Sequence, residues 1–285
     1  MKYNGLVLLD KKRGQSTTRE EVGLKRIFST KKVGHAGTLD PFATGLIICG
    51  VNKGTKLLNE LESADKTYVA KLKLGIKTTS ADITGDIIER KEVEEHSEQE
   101  TREVLSSFQG ESMQLPPMYS ALKIDGVPLY KLARKNQIVE RKKRKINIKE
   151  IEFISYDKEQ KELLFIASVS KGTYIRTLGE DIAKKMGEVG TLVELRRTRV
   201  GRFSVKQAKK IEDIKTEDII DISRFYSDIY HLKIDGENAK RARNGADIKL
   251  DLDKNVVLLV DADECAIALY KNIGRGWFKV VKEFV

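Results

Sequence analysis

Residues 34–45, GHAGTLDPFATG, hold three glycines, one proline, one histidine and a single carboxylate, Asp40, with no other ionisable side chain. The whole chain is 34 % charged, so the segment stands apart from its surroundings. Its composition makes it a loop, and that loop joins a helical pattern to an apolar strand. Upstream, STTREEVGLKRIF (16–28) reads as a helix, with capping-box spacing at Thr17/Glu20 and again at Thr18/Glu21. Downstream, LIICG (46–50) reads as a buried strand.

The same logic gives a mixed α and β chain. GLVLLDK (5–11) is a buried strand, and YVAKLKLG (68–75) is a half-buried one beginning at Tyr68, with Ala70, Leu72 and Leu74 alternating against lysines. DITGDI (82–87) has turn chemistry. Ser97 and Glu100 open a helix running to about Phe108. Residues 146–156 and 162–170 read as strands, and TLGEDIAKKMG (177–187) as a helix ended by glycine. Short strands at 256–260, 265–270 and 277–284 suggest a small β-rich appendix.

Charge divides the chain in the same place. Residues 231–285 hold 10 Lys/Arg against 9 Asp/Glu, whereas residues 1–230 hold 43 against 34. Two blocks stand out: 131–149 with nine basic residues and one acid, and 191–210 with seven and one. A polyanion, with nucleic acid foremost, fits two such blocks, although a solvated surface would also produce them. The apolar run at the N-terminus is too short for a signal segment or a membrane span. Cys49 and Cys265 belong to no metal-binding array or disulfide framework, which fits a soluble protein of the cytoplasm.

Several chemistries could use the 34–45 loop. Neither phosphate-binding glycine motif is present, and a central carboxylate would weaken an anion site. His35 and Asp40 alone are too few for a metal centre. Asp-Pro can also simply start a turn. A nucleophilic or acid/base carboxylate remains, with glycines that let a substrate approach the backbone.

GHAGTLDPFATG resembles the catalytic-aspartate motif of the TruB family of tRNA pseudouridine synthases. LDKKRGQSTTREEV (9–22), DKTYVA (65–70), PPMYSALKIDGVPLYKLAR (116–134), VSKGTYIRTLGEDI (169–182) and LVELRRTRVGRF (192–203) resemble further blocks of that family, in order. Lys12 stands where the family usually has proline, and Thr17 where serine is common.

The resemblance implies an α/β (α+β) pseudouridine synthase fold, a mixed central sheet flanked by helices. It implies a catalytic domain over 1–230 with an RNA-binding insertion at about 113–148, and a PUA-like β-barrel at 231–285. It implies isomerisation of the T-loop uridine (position 55) of tRNA by a monomer needing no cofactor, metal or membrane. Asp40 would be the nucleophile, Arg176 its cationic partner, and Tyr68 the aromatic wall against the base. His35, Tyr174, Leu195, Lys11, Arg134, Arg196 and Arg197 would bind substrate, with Arg199 and Arg202 adding phosphate contacts. A non-catalytic tRNA-binding or folding chaperone is the alternative, and a base-releasing glycosylase a further one.

Overall fold

The computed structural model describes residues 3–135, 137 and 139–284, so Met1, Lys2, Asn136, Ile138 and Val285 lie outside the described residues. Seven strands form the main sheet: β1 (Gly5–Lys11), β2 (Thr44–Val51), β3 (Lys66–Leu74), β4 (Gly110–Gln114), β5 (Arg144–Asp157), β6 (Glu162–Val169) and β7 (Gly190–Val200). Their order is β1-β2-β7-β3-β6-β5-β4, with short strands added at Val33–His35, Phe203–Ser204 and Ile220–Asp221. All neighbours among the seven run antiparallel except β2 and β7, so the sheet is mixed.

Helices α1 (Thr17–Ile27), α2 (Glu98–Ser106) and α3 (Ile175–Lys185) supply Leu24, Leu105, Leu178 and Ile182 to the core on one face. β1 and β2 are buried on both faces. Val7, Leu9, Ile47 and Cys49 point into this core, while Leu6, Leu8, Leu46 and Ile48 point into a second one behind the sheet. That double burial is why both read as unbroken apolar runs. β3 is buried on one face only, hence its alternation with Lys71 and Lys73.

Two local expectations are corrected. The cap of α1 is Ser16, which accepts the Arg19 N–H, because the Thr17 hydroxyl is engaged elsewhere. Helix α3 starts at Ile175, placing Arg176 in its first turn. Block 191–210, read from the sequence only as a basic stretch, has its first ten residues in strand β7. Bulges after Leu192 and Arg197 shift its phase and hide the alternation. The Ser97/Glu100 capping box is present as read.

The C-terminal part is a five-stranded sheet ordered Tyr230–Lys233, Val256–Val260, Ala266–Gly274, Trp277–Glu283, Ile248–Lys249, consistent with a PUA-like unit. Helix Gly236–Arg243, unforeseen in the sequence, packs Ala239 and Ala242 inward. Leu258, Val260, Leu269 and Phe284 of this unit share the second core with β1 and β2. The Tyr226 hydroxyl donates to Glu60 at 2.8 Å, and Lys282 pairs with the same carboxylate.

Candidate active site

The 36–45 loop is poor in charge because four of its ten residues are core: Ala36, Leu39, Phe42 and Ala43 are buried. Thr17 Oγ1 donates to Leu39 O at 3.3 Å and accepts the Leu39 N–H at 3.2 Å, fixing the residue before Asp40 to α1. Lys11 is 1 % exposed. Its ammonium donates to Lys12 O, Gln15 O and Pro41 O at 3.0, 2.9 and 3.3 Å, and burial lowers its pKa to about 8. Arg197, also 1 % exposed, donates to Leu46 O and Gly37 O at 2.7 and 3.0 Å. Gly45 has φ +106°, and a Cβ there would sit 2.3 Å from Arg197 O, so only glycine lets the loop join β2 beside β7.

This frame presents Asp40 to a cavity of about 830 Å³, lined also by Tyr68, Ser120, Tyr174, Arg176 and Leu195. Arg176 approaches the carboxylate side-on, Nε to Oδ2 at 2.8 Å and Nη2 to Oδ1 at 3.2 Å. Its other donors reach Ser80 O at 2.9 Å and Tyr119 O at 2.7 Å, and its Nε lies 3.8 Å from Asp82 Oδ2. Asp82 is buried and accepts at Oδ1 from Ser80 Oγ (3.0 Å), Thr84 N (2.9 Å) and Thr84 Oγ1 (2.5 Å). One guanidinium therefore lies between two carboxylates. The recessed position of Asp40 raises its pKa above the ordinary aspartate value; Arg176 opposes this and the Asp82 charge adds to it. Asp40 nonetheless keeps 36 % of its side chain exposed, open to an incoming group.

The sequence-derived set divides by position. Asp40, Tyr68, Tyr174, Arg176, Leu195 and Arg197 line one cavity. Lys11 and Arg197 have their polar atoms turned to the loop's carbonyls. His35, on strand Val33–His35, lies between Glu21 (2.5 Å) and Thr38 (3.0 Å) and does not line the cavity. Arg196 pairs with Asp10 at 2.7 and 3.0 Å on the other face of β7, and Arg202 stacks over Phe203 and Phe225 and pairs with Asp228. Three of the four arginines expected on phosphates thus have partners within the chain; Arg199 is exposed. Arg134 is exposed and lies over the Tyr130 ring.

Asp82 and Gln114 were missed. Asp82 sits in a turn whose Thr-Gly sequence explains an aspartate without any further role. Lys12, standing for the expected proline, ties its turn to Glu212. Arg144, Lys145 and Lys171 give the cavity mouth a basic rim, and Lys66 lies deeper, its pKa lowered to about 8 by burial. Among the described residues no group of three or more His, Cys, Asp or Glu is placed to hold a metal ion, and no helix is long and apolar enough to cross a membrane.

Known proteins match this architecture. A TruB family pseudouridylate synthase (N terminal domain) model covers residues 25–175, and a tRNA pseudouridylate synthase B C-terminal domain model covers 176–225. A tRNA pseudouridine synthase B of Mesoplasma florum is 35 % identical over 98 % of this chain and 97 % of its own. The Clostridium tetani protein of the same name is 40 % identical over 92 % and 93 %. A solved Cbf5-Nop10-Gar1 complex contains a chain with the same fold, at TM-score 0.70 and 22 % identity, covering 100 % of this chain and 85 % of that one. Family models over residues 25–225, and relatives 35–40 % identical over nearly the whole chain, place this protein in the TruB family of pseudouridylate synthases.

Proposed function

We propose that this protein isomerises the T-loop uridine of tRNA, position 55, to pseudouridine, with Asp40 as nucleophile. The observation that carries the reading is the Asp40–Arg176 pair at the edge of a cavity wide enough for an extruded nucleotide. Arg176 favours the ionised carboxylate against desolvation and fixes both oxygens, leaving Asp40 one approach direction. The N1–C1′ bond breaks, the base turns within the cavity, and a C5–C1′ bond forms. The C5 proton leaves and N1 takes one up, so nothing is oxidised or reduced and no second substrate is consumed.

Tyr68, held rigid between β6 and β7, is the flat wall against which the base stacks, with Leu195 and Tyr174 closing the pocket. The basic rim and the exposed cations of the 113–148 insertion supply phosphate contacts that offset the cost of unstacking. We take residues 1–230 as the catalytic unit and 231–285 as an RNA-binding appendix, acting as a monomer in the cytoplasm. His35 positions the loop through Glu21, and Arg134 and Arg199 meet the RNA backbone.

The experiment uses T-arm RNA tritiated at uridine C5, with wild type and Asp40→Asn. The expected result is tritium release and pseudouridine at one position for the wild type, and neither for the variant although it still binds RNA. Binding without release by the wild type would favour a tRNA-folding chaperone, and free uracil would indicate a glycosylase.

A further inference from the structure

The buried side chain of Gln114 is 4 % exposed and makes two hydrogen bonds to one residue. Its Oε1 accepts the Tyr174 N–H at 2.8 Å, and its Nε2 donates to Tyr174 O at 3.1 Å. Tyr174 is the N-cap of α3 and lacks a side-chain cap of its own, so the Gln114 amide substitutes for a strand partner at the point where α3 begins. Arg176 follows two residues later.

Gln114 is also the last residue of β4, paired across the ladder with Arg144 of β5. The part of the insertion between these strands, 115–143, therefore leaves the sheet at Gln114 and rejoins it at Arg144, one register pair. Beyond that root the insertion contacts the site a second time, where Tyr119 O accepts from Arg176 Nη2, the nitrogen that also holds Asp40 Oδ1. Two contacts thus converge on the site, one from Gln114 at the root to the backbone of Tyr174 and one from Tyr119 in the insertion to the Arg176 guanidinium.

We propose that Gln114 is a positioning residue that transmits seating of the insertion on RNA to Tyr174 and Arg176. The inference rests on the reaction proposed above. In this arrangement RNA held by the exposed insertion fixes the root, the root fixes the start of α3, and α3 aims the guanidinium at Asp40. A side chain at 114 that cannot both donate and accept leaves α3 docked by its apolar face but its first turn loosely aimed.

The test is single-turnover pseudouridine formation on T-arm RNA, with RNA affinity and thermal unfolding measured alongside. Gln114→Ala should lower the chemical rate by roughly 10²-fold, the scale of a small misalignment, with affinity within about threefold of wild type. Gln114→Glu is diagnostic because only the protonated acid can donate to Tyr174 O. Its rate divided by that of the wild type should rise as pH falls from 8 to 6. A pH-independent ratio, or a Gln114→Ala variant that loses affinity but keeps its rate, overturns the proposal. If Gln114→Ala fails to fold, the Gln114→Glu ratio decides. A wild type that makes no pseudouridine would refute the parent reading instead, so the two failures are distinguishable.

Discussion

Arg176 spends one guanidinium on Asp40, Ser80 O and Tyr119 O and lies beside Asp82, so no single-point cation can replace it. Arg176→Lys keeps the charge and loses the side-on grip. The expected outcome is a fall in single-turnover rate of about 10²–10³-fold with smaller loss of RNA affinity, the magnitude typical of one lost electrostatic donor. The raised pKa of Asp40 has a sign that can be worked through. The nucleophile is the ionised form, and a raised pKa returns its proton at a higher pH than an ordinary aspartate. Activity should therefore fall on the acid side above the unperturbed value of about 3.9, and a rate profile under single-turnover conditions checks this. Asp40 is legible in sequence because it is the single carboxylate of its loop, whereas Asp82 is not. A carboxylate before Thr-Gly has a sufficient local explanation, and its place beside Arg176 arises only when residues 82 and 176 meet in space. Arg197 misled in the opposite direction. In a row of cations it reads as a phosphate ligand, yet two buried carbonyls take its donors.

At the scale of elements, α1, β1 and β7 hold the aspartate loop through Thr17, Lys11 and Arg197, each by hydrogen bonds to its backbone. Thr17→Val removes the hydroxyl that both donates to and accepts from Leu39 while keeping the shape. Leaving those buried groups unpaired should cost about 1–3 kcal/mol, read as a lower midpoint in urea, with turnover falling further than stability because Asp40 is the next residue. Apolar pattern finds strands where both faces are buried, as in GLVLLDK (5–11) and LIICG (46–50, within Thr44–Val51), since a run of Leu, Ile and Val needs no phase. It misses Gly190–Val200, where Glu194, Arg196, Arg197 and Arg199 break the hydrophobic signal and two bulges shift its period. The two threonine capping boxes of Thr17–Ile27 failed for a related reason. Local spacing competes with a tertiary partner, and Leu39 took the Thr17 hydroxyl.

At the scale of the whole molecule, the C-terminal sheet is not an independent bead. Leu258, Val260, Leu269 and Phe284 complete the core behind β1 and β2, and Lys282 of the sheet pairs with Glu60. Truncation after residue 230 should expose Leu6, Leu8, Leu46 and Ile48 and lower the melting temperature of what remains. The intact chain should melt in one calorimetric transition, and two separated transitions would contradict the shared core. The charge balance of residues 231–285 says nothing about this seam, because apolar residues at a junction read like those of any core.

The roots of the 115–143 insertion have a consequence for descent. Gln114 and Arg144 face each other across an antiparallel ladder, so the chain leaves the sheet and returns almost to where it left. A cassette closed in this way can grow, shrink or be exchanged between lineages without changing strand order or moving the aspartate loop. Substrate preference can then diverge while the reaction stays fixed. A replacement joined at this pair leaves Gln114 in place and has to supply again the carbonyl of residue 119 and the cavity wall that Ser120, Ala121 and Leu122 form.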